Sequence, residues 1–177
     1  EAEHFPAQRP VLGKDNGYQH LWLDARSKPG SEPRSLAWLL DGRFYTYRFG
    51  SSAPAQALLV ESGANDPEFN LRREPALLQR VDGQKDVTFF SVLEPHGEYN
   101  GTAEYVHGAD SRIREIVRTR GSDAEVIELR LASGARIALG VADDSSAKGE
   151  HSVSVDGHAY RWSGSHARMD RSKGDGK

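Results

Sequence analysis

The 177-residue sequence contains no cysteine. Without it there is neither a disulfide framework nor a thiolate metal site, so composition carries no trace of the redox compartment. No apolar run approaches the roughly 18 residues of a membrane-spanning helix. The opening residues, Glu1-Ala2-Glu3-His4, lack the basic start and apolar stretch of a signal peptide. An excess of positive charge is missing too: 23 Lys and Arg against 26 Asp and Glu leave a formal net charge of −3. That balance gives no global attraction to nucleic acid or to an anionic membrane surface. There is no glycine-rich phosphate loop, Gly-x-Ser-x-Gly elbow or basic-aromatic RNA signature. Helical spacing over a full helix length is absent, as are internal repeats.

What is present is a succession of short apolar runs separated by turn signals. Gln19 to Ala25, Leu36 to Leu40, Arg43 to Phe49, Ala57 to Val60, Ala76 to Val81, Val87 to Leu93, Ile113 to Thr119, Ala124 to Leu131, Arg136 to Val141, His151 to Val155 and His158 to Trp162 read as strands. Asp41-Gly42, Asp82-Gly83 and Asp156-Gly157 supply the positive φ values of tight hairpins. The expectation is an all-β, antiparallel two-sheet β-sandwich over residues 1–162, because one open sheet would leave an apolar face uncovered. Val87 to Leu93 carries apolar residues on both parities, which predicts a strand buried on both faces with Phe89 and Phe90 pointing opposite ways. Asn65 to Asn70 and Asp143 to Glu150 read as loops, with a short turn at Pro67 to Leu71. The stretch 163–177 has only Ala167 and Met169 as aliphatic residues, and is expected to be a disordered tail.

The central strand runs into Glu94-Pro95-His96-Gly97-Glu98-Tyr99, a loop composition rich in groups that bind or react. In Gly17-Tyr18-Gln19-His20-Leu21-Trp22, alternation places Tyr18, His20 and Trp22 on one face, as a sugar-stacking strip or as buried wall. Tyr45, Tyr47 and Phe49 share one face in the same way, and Trp38 and Trp162 carry the same two readings. Of the seven histidines only His96 with His107, or His151 with His158, could meet across strands. Neither pair has zinc-like spacing, so no metal site is expected. A three-residue loop at Gly121-Ser122-Asp123 would set Arg120 opposite Ala124, Arg118 opposite Val126 and Arg114 opposite Arg130. A second, at Ser133-Gly134-Ala135, would set Leu131 opposite Ile137 and keep an odd-numbered apolar face continuous. The outer face would then hold Arg112, Arg114, Arg118, Arg120 and Arg130 against Glu128. Either Asp143 or Asp144 neutralises it, or an anion does.

Leu12 to Trp22, Phe44-Tyr45-Thr46, Asp66 to Arg72 and Phe89 to Tyr99 together resemble the C-terminal part of heparinase II/III-like polysaccharide lyases, most closely the oligoalginate lyases. Tyr-Gln-His-Leu-Trp and Glu-Pro-His-Gly-Glu-Tyr are the most specific runs, within a resemblance covering roughly Pro6 to Ala142. It implies a β-sandwich region that follows a helical toroid, β-elimination across a uronate glycosidic bond, and a periplasmic or secreted location. Tyrosine and histidine serve that family as base and acid, mostly from the toroid or its junction with the sheets. The sequence departs from the pattern in lacking the helical half, and no counterpart of the family's zinc ligands is found. No cofactor is therefore expected in this chain.

Elimination beside a carboxylate needs a neutraliser for the uronate, a base for the C5 proton and an acid for the leaving oxygen. His96 and Tyr99 are the candidate acid and base, although Glu94 and Glu98 would repel a uronate; the competing reading has them pin a strand corner. Arg114, Arg118 and Arg130, with Tyr18, His20 and Trp22, are the candidate substrate contacts, since the guanidinium fork suits a carboxylate. The implied partners are an acidic polysaccharide such as alginate and the helical catalytic domain of a parent enzyme, with neither nucleic acid nor membrane. The residues support a non-catalytic module of such a lyase, with a stand-alone carbohydrate-binding module as the alternative.

Overall fold

The computed structural model describes residues 2–4, 11–13, 21–63 and 73–171. Tyr18 and His20, the loop Asn65 to Asn70, the Pro67 to Leu71 turn and residues 172–177 lie outside them. In chain order the strands are β1 (Ala2–His4), β2 (Leu21–Ser27), β3 (Arg34–Leu40), β4 (Arg43–Ser51), β5 (Gln56–Gly63), β6 (Arg73–Arg80), β7 (Phe89–His96) and β8 (Glu98–Asn100). They continue as β9 (Tyr105–His107), β10 (Ile113–Arg120), β11 (Ala124–Leu131), β12 (Arg136–Ala142), β13 (Glu150–Val155), β14 (His158–Ser163) and β15 (His166–Arg171). Every register-matched pair is antiparallel. The all-β, antiparallel sandwich class expected from the turn signals is what forms.

Two compact units divide the chain, one of residues 1–32 with 50–89, the other of 33–49 with 90–177. The first is a sheet of order β1-β2-β5-β6. Its core is Leu23, Leu58 and Val60, packed by Leu12, Leu21, Ala76 and Leu78. Leu21 and Leu23 take the core side because side chains alternate along β2, which turns Trp22 the other way. There the indole lies against Gly63, where an added Cβ would meet the ring at 2.4 Å.

The second unit holds the sheet β10-β11-β12-β15, the hairpin β13-β14, the sheet β3-β4-β7 and the hairpin β8-β9. Val153, Val155, Tyr160 and Trp162 of β13-β14 pack on Ala124, Val126 and Ala138 of the four-stranded sheet, with Val117, Ala167 and Met169 around them. Two hairpin turns follow the sequence rule: Asp41-Gly42 and Asp156-Gly157 both have positive φ at each residue, from 47° to 82°.

Three expectations are corrected. Phe90 is buried but Phe89 is 49% exposed. Along β7 the even residues Phe90, Glu94 and His96 face inward and the odd ones outward. The buried face of this strand is thus partly polar, and apolar parity alone misassigned the other. The expected disordered tail is a strand over 166–171: β15 pairs with β12 from Val141↔His166 to Arg136↔Arg171. Two apolar side chains suffice there because Ala167 and Met169 alternate onto an existing core while the ladder satisfies the backbone.

The third correction is register. The turn between β10 and β11 is closed across Ser122 and Asp123 by Gly121 N–H donating to Ala124 O at 2.8 Å, not by Arg120 facing Ala124, so Arg120 pairs with Glu125. Parity flips. Arg118 now lies opposite Ile127, and Val117 opposite Glu128. A bulge at Arg114 then brings Glu115 rather than Arg114 opposite Arg130, which removes the like-charge pair. In the next hairpin Leu129 pairs with Ile137 and Arg130 with Arg136, two residues off the expected pairing but with parity intact.

Deleting β15 by ending the chain after Gly164 is expected to destabilise the protein by about 3 kcal/mol or more, with Met169→Ala alone costing about 2 kcal/mol. In a thermal melt the truncation should lower Tm by roughly 10 °C. An unchanged Tm would mean β15 contributes nothing to the core.

Candidate functional site

The Glu94 to Tyr99 stretch turns out to be two strand ends and the glycine between them, with Gly97 at φ +53°. Glu94, only 5% exposed, accepts from Ser111 Oγ at 2.6 Å, Arg112 Nε at 2.8 Å, Arg112 N–H at 3.2 Å and Ile113 N–H at 3.4 Å. It ties β7 to the start of β10. Burial opposes its ionisation, but the Ser111, Arg112 and Ile113 donors outweigh that and hold the carboxyl below its ordinary range.

His96 is also buried. Its Nδ1 lies 3.0 Å from Gly108 O and its Nε2 2.9 Å from Thr46 Oγ1. A carbonyl only accepts, so Nδ1 carries the proton there, and Nε2 is taken by the buried threonine. Phe44 stacks on the ring at 6.1 Å between centroids. Neither nitrogen is open to a substrate. Tyr99 sits on β8 with its ring exposed, and its backbone N–H donates to Gly42 O at 2.7 Å. Glu98 accepts from Tyr105 Oη at 2.6 Å, which raises the Tyr105 phenol. The His96 ring therefore ties β7 to Thr46 of β4 and to Gly108, whereas Tyr99 contributes only its backbone N–H to such a contact.

The arginines do not form one face. Arg118 pairs with Glu125 at 2.6 Å, Arg120 with both oxygens of Asp143, and Arg112 with Glu94. Arg130 reaches Glu128 and Glu115, each at 2.8 Å, and Asp156. Arg114 occupies the bulge and is exposed. Trp22, the other described candidate for substrate contact, is half-buried.

Sequence reasoning missed the densest polar cluster. Glu128, expected on a solvated face, is fully buried at 0% exposure. It accepts from Arg130 Nε at 2.8 Å, Arg136 Nη1 at 3.2 Å and the Tyr160 hydroxyl. Burial opposes its charge; Arg130, Tyr160 and Arg136 overcome that and lower its pKa. Burial, then the bond to Glu128, pushes the Tyr160 phenol up to about 12. The only hint in the sequence is that Glu128 follows Ala124 and Val126 at strand spacing.

A second missed pair is His151, whose Nδ1 is 2.8 Å from Asp123 Oδ2 and whose ring lies 5.4 Å from that of Trp162. The His151 bond holds the Asp123 carboxyl below its usual range. His151 pairs with Trp162 and His158 with Val155, so the two histidines sit at opposite ends of their hairpin. Among the described residues no group of three His, Asp or Glu is placed to hold a metal ion.

His96→Ala is expected to cost about 2 to 3 kcal/mol through the lost ring packing and the unpaired Thr46 hydroxyl. Tyr99→Phe should change stability by no more than about 0.5 kcal/mol, as surface changes do. Urea denaturation of both checks this; a neutral His96→Ala would contradict the pinning role.

Glu128→Gln should cost about 3 kcal/mol at neutral pH by leaving the half-buried Arg136 without its carboxylate and weakening the Arg130 and Tyr160 bonds. The folded carboxyl titrates below its ordinary 4.5, so its contribution is complete above that pH and is lost as pH falls through the lower folded value. The stability gap between wild type and Glu128→Gln should therefore close on acidification below pH 4.5. A gap independent of pH in denaturation curves would refute the charged network.

No family model matches the chain. Over all 177 residues it is 94% identical to a protein named alginate lyase from Stenotrophomonas maltophilia (strain K279a), of which it spans 24%. It is 37% identical over 157 residues, 87% of its own length, to the exo-oligoalginate lyase of Saccharophagus degradans, spanning 21% of that protein. The chain is thus related to one portion, less than a quarter, of enzymes named as alginate lyases.

Proposed function

We propose that this chain is the C-terminal β-sandwich region of an alginate lyase of the heparinase II/III-like type, which cleaves oligoalginate by β-elimination. Its part in that enzyme is to support a helical catalytic domain, in a periplasmic or secreted setting. The observation that carries this reading is an uncovered apolar sheet face. Leu36, Trp38 and Leu40 of β3 are 37%, 37% and 54% exposed, and Leu93 of β7 is 52% exposed.

These residues share one side. Leu36 pairs with Tyr47 and Trp38 with Tyr45, whereas Thr46 lies on the other side, bonded to His96. Leu93 has the opposite parity to His96 and so joins the apolar side. Contiguous apolar surface of this kind marks an interface, and the named relatives are more than four times as long as the chain. The chemistry agrees with a supporting role: His96 has both nitrogens engaged, and Arg118 and Arg130 are already paired with carboxylates.

Co-expression with the remaining portion of the Stenotrophomonas relative as a second polypeptide tests the reading. The two pieces should associate and together release unsaturated uronate, seen by its ultraviolet absorbance, while the chain alone should not. Leu36→Asp with Leu40→Asp should weaken association by about tenfold or more, as loss of a buried apolar contact does. Turnover by the isolated chain, or association indifferent to these changes, would overturn it.

A carbohydrate-binding module is the second reading, favoured by Trp38, which stacks on Tyr45 at 5.5 Å and 10° to present a flat aromatic surface. Retardation of the isolated chain in alginate gels, abolished by Trp38→Ala, would favour it over docking.

A further inference from the structure

Register places three arginines side by side on one face of neighbouring strands: Arg130 of β11 opposite Arg136 of β12, and Arg136 opposite Arg171 of β15. The first two are committed. Arg130 holds Glu115, Glu128 and Asp156, and Arg136 donates to both oxygens of Glu128. The Glu128 carboxylate, also bonded by Tyr160, has nothing left for a third guanidinium.

Arg171 is that third group. Its Cζ stands 5.6 Å from the centre of the Tyr160 ring, and its Nη1 is enclosed with no hydrogen-bond partner. An enclosed guanidinium N–H without an acceptor is costly. Arg171 lines a cavity of about 490 Å³ with His158, Tyr160, Arg161 and Met169, and among the described residues no carboxylate borders it. Among the described residues the acids flanking these two strands are spent elsewhere: Asp156 is held by Arg130, and Asp170, which alternates to the other side of β15, bonds Arg168 Nε at 3.1 Å.

We propose that this cavity between β14 and β15 is a carboxylate site, filled by a uronate residue of an oligoalginate. Arg171 provides the fork for the carboxylate and Arg161 a second positive charge at the rim. Tyr160 fixes the orientation of the Arg171 guanidinium by stacking. The choice of uronate over other carboxylates rests on the alginate-lyase reading above. The site lies on a different sheet from the apolar docking face, so both can be occupied together.

The test is a titration of the 177-residue chain with mannuronate oligomers, followed by the arginine Nε–Hε signals in NMR spectra, with a neutral oligosaccharide of equal length as control. The Arg171 signal should shift in a saturable way with the uronate oligomer alone. Arg171→Gln should weaken the apparent affinity about tenfold, and Arg171→Lys should retain only part of it because the fork is lost. Arg114→Gln, an exposed arginine elsewhere, should change it less than about twofold. Dispersed amide spectra for each variant separate loss of binding from loss of fold, and Arg171→Lys preserves the charge should the glutamine variant not fold. An unmoved Arg171 signal, equal affinity in the Arg171→Gln and Arg171→Lys variants, or equal response to the neutral oligomer would overturn the site. If Arg171→Gln instead weakens association with the remaining portion of the enzyme and leaves the uronate response intact, the carboxylate belongs to that polypeptide and the proposal fails. Failure here leaves the docking reading standing, because that is read from association through Leu36 and Leu40.

Discussion

A carboxylate with no exposure to water dictates the arrangement of the larger unit. Glu128 sits at 0% exposure, and a buried charge is tolerable only if it is matched by opposite charge and saturated with hydrogen bonds. Its donors come from its own strand, from β12 and from β14, so the sheet and the hairpin laid on it must meet in one relative register. Shifting β12 by one residue would turn Arg136 to the opposite side. Apolar packing among Val126, Ala138, Val155 and Tyr160 tolerates small slips. The ionic centre does not, and it specifies which of several comparably apolar arrangements is adopted. Glu94 repeats the device between β7 and β10 with its own set of donors.

Element identity was largely legible, because period-two alternation and Asp-Gly turns depend on a few adjacent residues. What could not be read was parity across a turn. Closure of the turn by Gly121 with Ala124, where Arg120 with Ala124 was expected, transfers Arg118 from one face to the other without changing any strand boundary. The bulge at Arg114 is equally silent in sequence, yet it replaces an arginine pair with Glu115 beside Arg130. The same blindness put Glu128 in solvent and Phe89 in the core: both judgements treated charge and apolarity as decisive, when partners supplied from distant strands decide burial. The Met169 strand was missed for a related reason. Its own apolar content is too small to order it alone, and the surface that completes it lies some 30 residues earlier, around Ala138.

The candidate functional residues divide along the same line. His96 and Tyr99 looked reactive because an imidazole and a phenol so close in sequence suggest an acid and a base. In three dimensions both ring nitrogens of His96 are taken by a hydroxyl and a carbonyl, and the neighbouring Glu94 by hydroxyl, backbone and guanidinium donors. A general acid or base needs a site open to the substrate, and saturation closes it. Groups that carry a fold's polar joints and groups that carry chemistry have the same composition; only the completeness of their bonding distinguishes them.

That distinction separates the two surfaces of interest from everything around them. Many charged side chains of the larger unit are matched, as Arg120 is on both oxygens of Asp143, although Arg48 Nε and Arg118 Nε, like Arg171 Nη1, are enclosed without an acceptor. Against that background an unmatched group carries information. The Leu36, Trp38, Leu40 and Leu93 face lacks apolar cover, and Arg171 lacks an acceptor for Nη1. Both deficits are of the kind a further molecule supplies: burial for the first, a carboxylate for the second. Their chemistry differs as well: the Leu36, Trp38 and Leu40 face is mainly aromatic and aliphatic, with Arg43 opposite Leu40 at its end, whereas the cavity is lined by arginine, histidine and tyrosine. Support of a larger enzyme and recognition of its acidic polymer would then be carried by different sheets, each keeping the chemistry its partner requires.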